Sequence, residues 1–488
     1  MPSRRLARNF LLLLLLLTPA FARAAAADPD PALKAAGHWE GEINLPQDAG
    51  QIQVMIDLVR EGGVWTGSID IPMQGAKALP LEEVTVQEDK VHFKIKGIPG
   101  VPTFDGTLAA APTQSIRGTF TQGGASLPFR LGRDPVVKPV RPQDPKPPFP
   151  YTSEEVTYTN GAVKLAGTLT LPPGDGPFPA VVMITGSGAQ DRDESLLGHK
   201  PFLVLADHLS RHGIAVLRAD DRGVGGSTGS VSDSTSADFA QDALAGVRFL
   251  KTHSKIAGDR IGLVGHSEGA VVGPLAASQS SDVAFVVMLA GTGVPGPEVL
   301  VLQSERMARA DGTPEEKIRK QTASIRRMMD AVRTENDPAV RERKLREAAR
   351  ENVAALTPDE LKAAGGADGV IDGAVKTFNS RWFHYFLTYD PRPALRRVKV
   401  PVLALNGELD LQVIPDQNLP EIEKALKEGG NKDFTLKRLP GLNHLFQPAK
   451  TGSPTEYAKI ETTMDPLVLD TVTRWITERF AAPKAAVR

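Results

Sequence analysis

The chain of 488 residues contains no cysteine. That excludes disulfides, zinc–thiolate sites, a thiol nucleophile and a lipidated-cysteine anchor. Stability must then come from the core alone, and a chain of this length is ample for that. A bulk charge of either sign is also missing: 57 basic residues stand against 58 acidic ones, for a formal net charge of −1. Neither nucleic acid nor an anionic membrane has a bulk electrostatic reason to bind. No internal repeat is present. The long apolar run at the N-terminus, Phe10–Leu17, is too short to cross a bilayer, which takes about 20 residues.

That run does fit an export signal. Arg4, Arg5 and Arg8 precede it, and Ala22-Arg23-Ala24 follows as a small-x-small cleavage site. A signal peptide is therefore expected over 1–24, with no integral membrane segment left after cleavage and a periplasmic or secreted product. Residues 28–133 alternate apolar and polar positions in short runs, with Ile52, Val54, Ile56 and Leu58 on one face and Val91, Phe93 and Ile95 on another. Period two with Gly-rich turns predicts a small antiparallel β domain, a barrel or a sandwich. Its opening, Gly37-His38-Trp39, resembles the Gly-x-Trp start of lipocalin-like barrels; a Trp packed in a small barrel core is favoured over a ligand pocket. The proline-dense stretch 134–151 reads as a semi-rigid linker.

Beyond the linker the pattern changes. Continuous apolar runs at 179–188, 213–223, 260–267, 282–291 and 400–410 alternate with amphipathic stretches such as Pro201–Arg211 and Asp238–Lys251. Strands apolar on both faces, alternating with helices, predict a parallel sheet covered on both sides, with its active site at the carboxyl ends of the strands. This α/β domain is expected over 152–293 and 391–482. Between them, 294–390 is helix-prone with charges of both signs interspersed. It is expected as a helical cap insertion with solvated faces, placed where it could act as a lid.

Gly-x-Ser-x-Gly occurs twice, at Gly225–Gly229 and at Gly265–Gly269. Ser227 sits in a Gly- and Ser-rich polar loop some residues beyond its strand, which favours a structural role. Ser267 directly follows the strand Arg260–Gly265 and precedes the helix-prone Ala270–Ala277. A sharp strand–serine–helix turn exposes the hydroxyl, and the flanking glycines relieve the crowding. Pro274 is expected to kink that helix or limit its regularity. A serine nucleophile needs a base, and the base needs a carboxylate. His444 follows the last strand in a Gly/Asn loop, while His199, in a loop near the first glycine-rich turn, is a lesser candidate. The remaining histidines lie in the β domain, on helices, or inside the turn itself (His266), and His384 lies on an aromatic stripe expected to pack the insertion onto the core. Asp410 follows the strand at Val400–Leu405, with Glu408 as the fallback. The oxyanion donors are expected to be the backbone N–H of Glu268, next to the nucleophile, and that of Ser187 in "TGSGAQ", with Gly188 as the alternative.

The order Ser267, Asp410, His444 is that of α/β-hydrolases. With "TGSGAQDRDE", "RADDRGVGGSTG", "GHSEGA", "YDPRPALRRVKVPVLALNGELDLQV" and "GLNHLFQ", the region 154–482 resembles the α/β-hydrolase family. Within it, the chain is similar to exported bacterial serine hydrolases of the dienelactone-hydrolase-like and serine-aminopeptidase-like group. The resemblance implies an α/β-hydrolase fold with a helical cap, the triad Ser267, Asp410 and His444, donors at Ser187 and Glu268, a structural Asp220–Gly229 segment, and no metal or cofactor. Ala270 stands where such proteins often have glycine. The β domain lies outside the resemblance. The expected activity is acyl-enzyme hydrolysis of a small carboxylic ester of short to medium acyl length, with peptidase, aminopeptidase or thioesterase action on the same triad as the enzyme alternative. An envelope-ligand binding protein on a hydrolase scaffold is the alternative of another class.

Overall fold

A computed structural model describes residues 34–44, 51–71, 76–98, 100–109, 114–122, 125–133, 141–354, 356, 361 and 366–480. The expected signal peptide, 1–24, lies outside the described residues, as does 134–140 of the expected linker. The chain divides into two compact units, one of residues 1–139, 311–328 and 336–377, the other of 140–310, 329–335 and 378–488.

The first unit holds a closed barrel of β1 (Gly37–Asn44), β2 (Gln51–Glu61), β3 (Val64–Ile71), β4 (Ala76–Gln87), β5 (Lys90–Ile95), β6 (Thr103–Ala109), β7 (Ser115–Gln122) and β8 (Ala125–Gly132). Every neighbouring pair is antiparallel, and β1 closes the ring on β8 with Gly41 opposite Leu131. The alternation read in the sequence puts Trp39, Ile56, Leu58, Phe93, Phe104 and Leu131 inside, all fully buried. Phe93 stacks on Phe104 at 4.7 Å, and Phe129 meets Phe104 edge-on at 5.1 Å. A barrel of this strand number is just wide enough for side chains to fill, and here they do. Trp39 donates from Nε1 to the Ala35 carbonyl at 2.8 Å, so its polar edge is satisfied inside the core. The same unit takes most of the charged insertion, as helices Glu315–Thr334, Pro338–Ala354 and Gly366–Phe378. Ser324 bonds the Ala348 carbonyl at 2.7 Å and Arg346 reaches Asp372 at 2.7 Å, while Met328 and Leu345 are fully buried.

The second unit is built on an eight-stranded sheet of β9 (Thr152–Asn160), β10 (Val163–Leu171), β11 (Phe178–Ile184), β12 (Ala215–Ala219), β13 (Ile256–His266), β14 (Phe285–Leu289), β15 (Val402–Gly407) and β16 (Phe434–Leu439). The spatial order is β9-β10-β12-β11-β13-β14-β15-β16. The β9–β10 and β10–β12 pairs are antiparallel and the rest parallel. Successive residues of β11 explain its unbroken apolar run: Val182 and Ile184 join one buried cluster, Val181 and Met183 another. The first cluster is closed by α2 (Ser236–Lys251) and α3 (Gly269–Ala277), the second by α1 (Pro201–Arg211) and helix Pro466–Phe480. Pro274 does not break α3, which runs on to Ala277 before ending. Two parts of the chain are divided more finely than the sequence reading has them. In the described part of the expected semi-rigid linker, Arg141 donates to the carbonyls of Leu197, Ala458 and Ile460 at 2.7–3.1 Å, and Gln143 bonds the Thr463–Met464 backbone, so residues 141–151 group with the sheet unit. The insertion is not one body, since Gly296–Ala310 and Arg381–Thr388 group with the sheet and the intervening helices largely with the barrel unit.

Candidate active site

Parallel β11, β13 and β15, with β16 at the edge, end together, and the candidate residues follow those ends. At the end of β13 the chain turns sharply into α3, and Ser267 adopts a left-handed backbone, φ +53°. A non-glycine residue there is strained, and such strain gathers at functional sites. The flanking glycines are compelled by contact: a Cβ on Gly265 would lie 2.0 Å from the Gly269 carbonyl oxygen, and one on Gly269 2.0 Å from that of Ile184. Ser267 N–H donates to Leu289 O at 2.8 Å, carrying the sheet ladder up to the serine itself. Ser227 is held differently. Its hydroxyl donates to Asp220 O at 2.8 Å and accepts from Ala166 N–H at 2.9 Å, pinning a loop against β10.

His444 follows β16, and its Nδ1 lies 2.9 Å from Asp410 Oδ2. Both side chains are buried. The carboxylate accepts from the Gln412 and Val413 N–H groups, each at 2.8 Å, and from Asn406 Nδ2 at 3.3 Å. With a carboxylate at Nδ1, the proton resides there and Nε2 is left as the acceptor a general base needs. Asn443 builds the loop beneath, its Oδ1 accepting from the N–H groups of Leu445 and Gln447 at 3.0 and 2.9 Å. Glu408, the fallback, is exposed and accepts from Gly441 N–H at 3.1 Å. His444 lies beside the serine turn, for its carbonyl accepts from Nε2 of His266, the residue before Ser267, at 3.0 Å.

His199 is fully buried, with Nε2 donating to Tyr457 O at 3.0 Å and Nδ1 facing the Thr463 hydroxyl at 2.9 Å. Burial pushes its pKa down to about 4, fixing a neutral ring in the packing. His384 is exposed on a helix whose Phe383 and Leu387 are the buried members.

The loop after β11 is tied down residue by residue. Asp221, half-buried, accepts from Thr185 Oγ1 at 2.8 Å and Gln190 N–H at 2.9 Å, and the desolvation of its carboxylate raises its pKa well above the usual carboxylate range. Arg192 pairs with Asp220 at 2.8 Å and Glu155 at 2.6 Å, while Asp193 pairs with Arg218. Gly186 N–H is taken by Glu194 Oε1 at 2.7 Å. Among the described residues, neither the Ser187 N–H nor the Glu268 N–H has a protein acceptor. The Glu268 side chain is engaged too: Oε1 accepts from Ser236 Oγ at 2.6 Å and Trp382 Nε1 at 2.8 Å, and burial raises its pKa. Sequence reasoning gave Glu268 a backbone role alone, set His266 aside as a residue of the turn, and passed over Glu194 and Asn443, whose partners are remote in the chain or lie in the turn they build. No cluster of His, Asp or Glu able to hold a metal ion occurs among the described residues.

The family model described as X-Pro dipeptidyl-peptidase (S15 family) matches residues 160–435. The chain belongs to the S15 family. The S15 match includes Ser187, Glu194, Ser267 and Asp410, with His444 just past its end. Esterase EstD of Thermotoga maritima is 28% identical over 331 residues, 67% of this chain and 68% of that one. Acyl-coenzyme A thioesterase 5 of Mus musculus is 29% identical over 146 residues, 30% of this chain and 31% of the thioesterase. Among solved structures, esterase Pf2001 of Pyrococcus furiosus aligns over 68% of this chain and 94% of its own at 15% identity, TM-score 0.39. Est1E of Butyrivibrio proteoclasticus aligns over 66% and 98% at 18% identity, TM-score 0.38. This S15 member is a hydrolase with the α/β-hydrolase fold.

Proposed function

We propose that the protein is a serine carboxylesterase acting through an acyl-enzyme. The observation that carries this reading is the strained Ser267 turn beside a His444 ring already hydrogen-bonded to buried Asp410. In the first step Ser267 Oγ attacks the ester carbonyl carbon while His444 Nε2 takes its proton. The oxyanion is met by the Ser187 and Glu268 N–H groups, and collapse expels the alcohol, protonated by His444. Water, deprotonated by the same ring, then attacks the acyl-enzyme and releases the acid and the free serine. Ester rather than amide cleavage is supported by the similarity to an esterase over two thirds of the chain. Peptide cleavage is the second reading, favoured by the family to which the chain belongs. Export of the protein is part of the proposal and rests on the charged and apolar run that precedes Ala25.

A panel of p-nitrophenyl esters of increasing acyl length, run beside Xaa-Pro and aminoacyl nitroanilides, separates the two readings. Turnover of the esters is expected to exceed that of the anilides, and the reverse result moves the protein to the peptidases. Ser267→Ala should lose up to about 10⁶ in kcat and all labelling by a fluorophosphonate probe. Equal labelling of Ser267→Ala and wild type would overturn the serine mechanism.

A further inference from the structure

Glu194 and His266 form a buried pair outside the Ser–His–Asp set, lying 2.9 Å apart from Oε1 to Nδ1. The same Glu194 oxygen accepts from Gly186 N–H at 2.7 Å, and the far ring nitrogen of His266 meets the His444 carbonyl at 3.0 Å. Each contact is one residue, or none, from a group assigned a part in catalysis. Gly186 precedes Ser187, His266 precedes Ser267, and His444 is the base itself. The approach is close: a Cβ built on Gly186 would sit 3.2 Å from Glu194 Oε1, 3.5 Å from Ser267 Cβ and 3.7 Å from His266 Nδ1.

The chemistry of the pair is unusual for mere packing. A carboxylate and a peptide carbonyl only accept hydrogen bonds, so both ring nitrogens of His266 face acceptors. A doubly protonated ring satisfies both, and a neutral one does not. Burial opposes that charge, but the charge and hydrogen bond of Glu194, aided by the His444 carbonyl and by Asp410, outweigh it, so the His266 pKa is raised. Glu194 also carries φ +53°, and its Oε2 is buried with no partner among the described residues. Both features cost stability, and such costs persist where geometry at a site demands them.

We propose that Glu194 and His266 are positioning residues, a charged clamp that holds the oxyanion loop, the serine turn and the His444 loop in register. The proposal rests on the serine-hydrolase reading above. By occupying Gly186 N–H, Glu194 also prevents that group from turning toward the substrate, which leaves Ser187 N–H as the loop's oxyanion donor. Misplacing such donors by about 1 Å costs on the order of 10²-fold in rate.

The test uses the full-length protein with four variants: Glu194→Ala, Glu194→Gln, His266→Ala and the double alanine. Measured quantities are kcat and KM on p-nitrophenyl butyrate, the rate constant of fluorophosphonate labelling, and Tm. Glu194→Ala is expected to lower kcat and the labelling rate by roughly 10²-fold with KM within about 3-fold. Glu194→Gln keeps an oxygen for Gly186 and His266 and should recover part of that loss. The double variant should be no slower than the slower single, because either change opens the same link. A folded Glu194→Ala with wild-type kcat overturns the clamp, as do losses that multiply in the double variant. If Glu194→Ala does not fold, His266→Ala decides, because it removes the link to the His444 carbonyl, and a wild-type kcat in it overturns the clamp. Wild-type protein that the probe fails to label sinks the serine-hydrolase reading and the clamp with it. Labelled wild type with an unslowed Glu194→Ala sinks the clamp alone.

Discussion

At the scale of single residues, neighbours separate candidates that sequence leaves side by side. Asp410 and Glu408 both follow β15, yet the first is buried against His444 and the second is exposed on Gly441 N–H. Asp410→Asn should therefore lower kcat by about 10⁴, the scale set by triads in which an amide imposes the wrong tautomer on the histidine. Glu408→Gln should leave kcat within a few-fold, and steady-state kinetics on one ester reads both. An Asp410→Asn enzyme of near wild-type turnover would remove Asp410 from its role. His199 supplies a second residue-level test, through pH. Its folded pKa, near 4, lies below the unfolded 6.5, so the native state binds fewer protons. The stability it contributes is complete above pH 6.5 and is lost as pH falls through that value toward 4. In His199→Gln the fall of Tm between pH 6.5 and 4 should be shallower than in wild type, even though its Tm at pH 7 is lower. Parallel profiles would show that another group sets the acid limb.

At the scale of elements, legibility followed how local the cause was. The strands β11 to β15 could be read because burial on both faces leaves unbroken apolar runs, as Val181 and Val182 illustrate by entering opposite clusters. β4 and β9 left no such trace: the first contains Pro80 and several charges, the second is mostly exposed at the sheet edge. Ser267 was legible because a nucleophile turn imposes its glycines locally. Glu194 was not, since its partner His266 lies 72 residues away and nothing in the spacing announces the pair. The glycines make a prediction of their own. A Cβ on Gly265 would stand 2.0 Å from backbone, whereas on Gly258 of the same strand the nearest atom is 3.7 Å away, in the flexible Lys251 side chain. Gly265→Ala should cost about 3 kcal/mol or more, a Tm drop on the order of 10 °C, with loss of activity. Gly258→Ala should stay within about 1 kcal/mol of wild type. Thermal melts decide, and a Gly265→Ala melt like that of Gly258→Ala would contradict the close contact.

At the scale of the whole molecule, sequence alternation did not distinguish a barrel from a sandwich, because both place every second side chain inside. What closes the ring is the pairing of β1 with β8, made between residues some 90 apart, which no local pattern can show. One side chain at that seam makes closure testable. Arg133, just past β8, donates to the carbonyls of Lys34, Ala36 and His38 at 2.6, 2.7 and 2.9 Å, and its guanidinium lies 3.6 Å from the centre of the Trp39 ring. It thereby holds the entry to β1 against the exit of β8 and caps the buried indole. Removing it leaves three carbonyls without their donor and uncovers Trp39, a loss of about 2–4 kcal/mol. The proposed catalytic residues all belong to the other unit, which has hydrophobic clusters of its own. Calorimetry of full-length Arg133→Ala should therefore show a transition moved to lower temperature while kcat at 25 °C remains within about 2-fold of wild type. A parallel fall of kcat would mean that closure of the barrel and the chemistry of the sheet unit are coupled. An unmoved calorimetric trace would mean that the seam is held by the strand pairing alone.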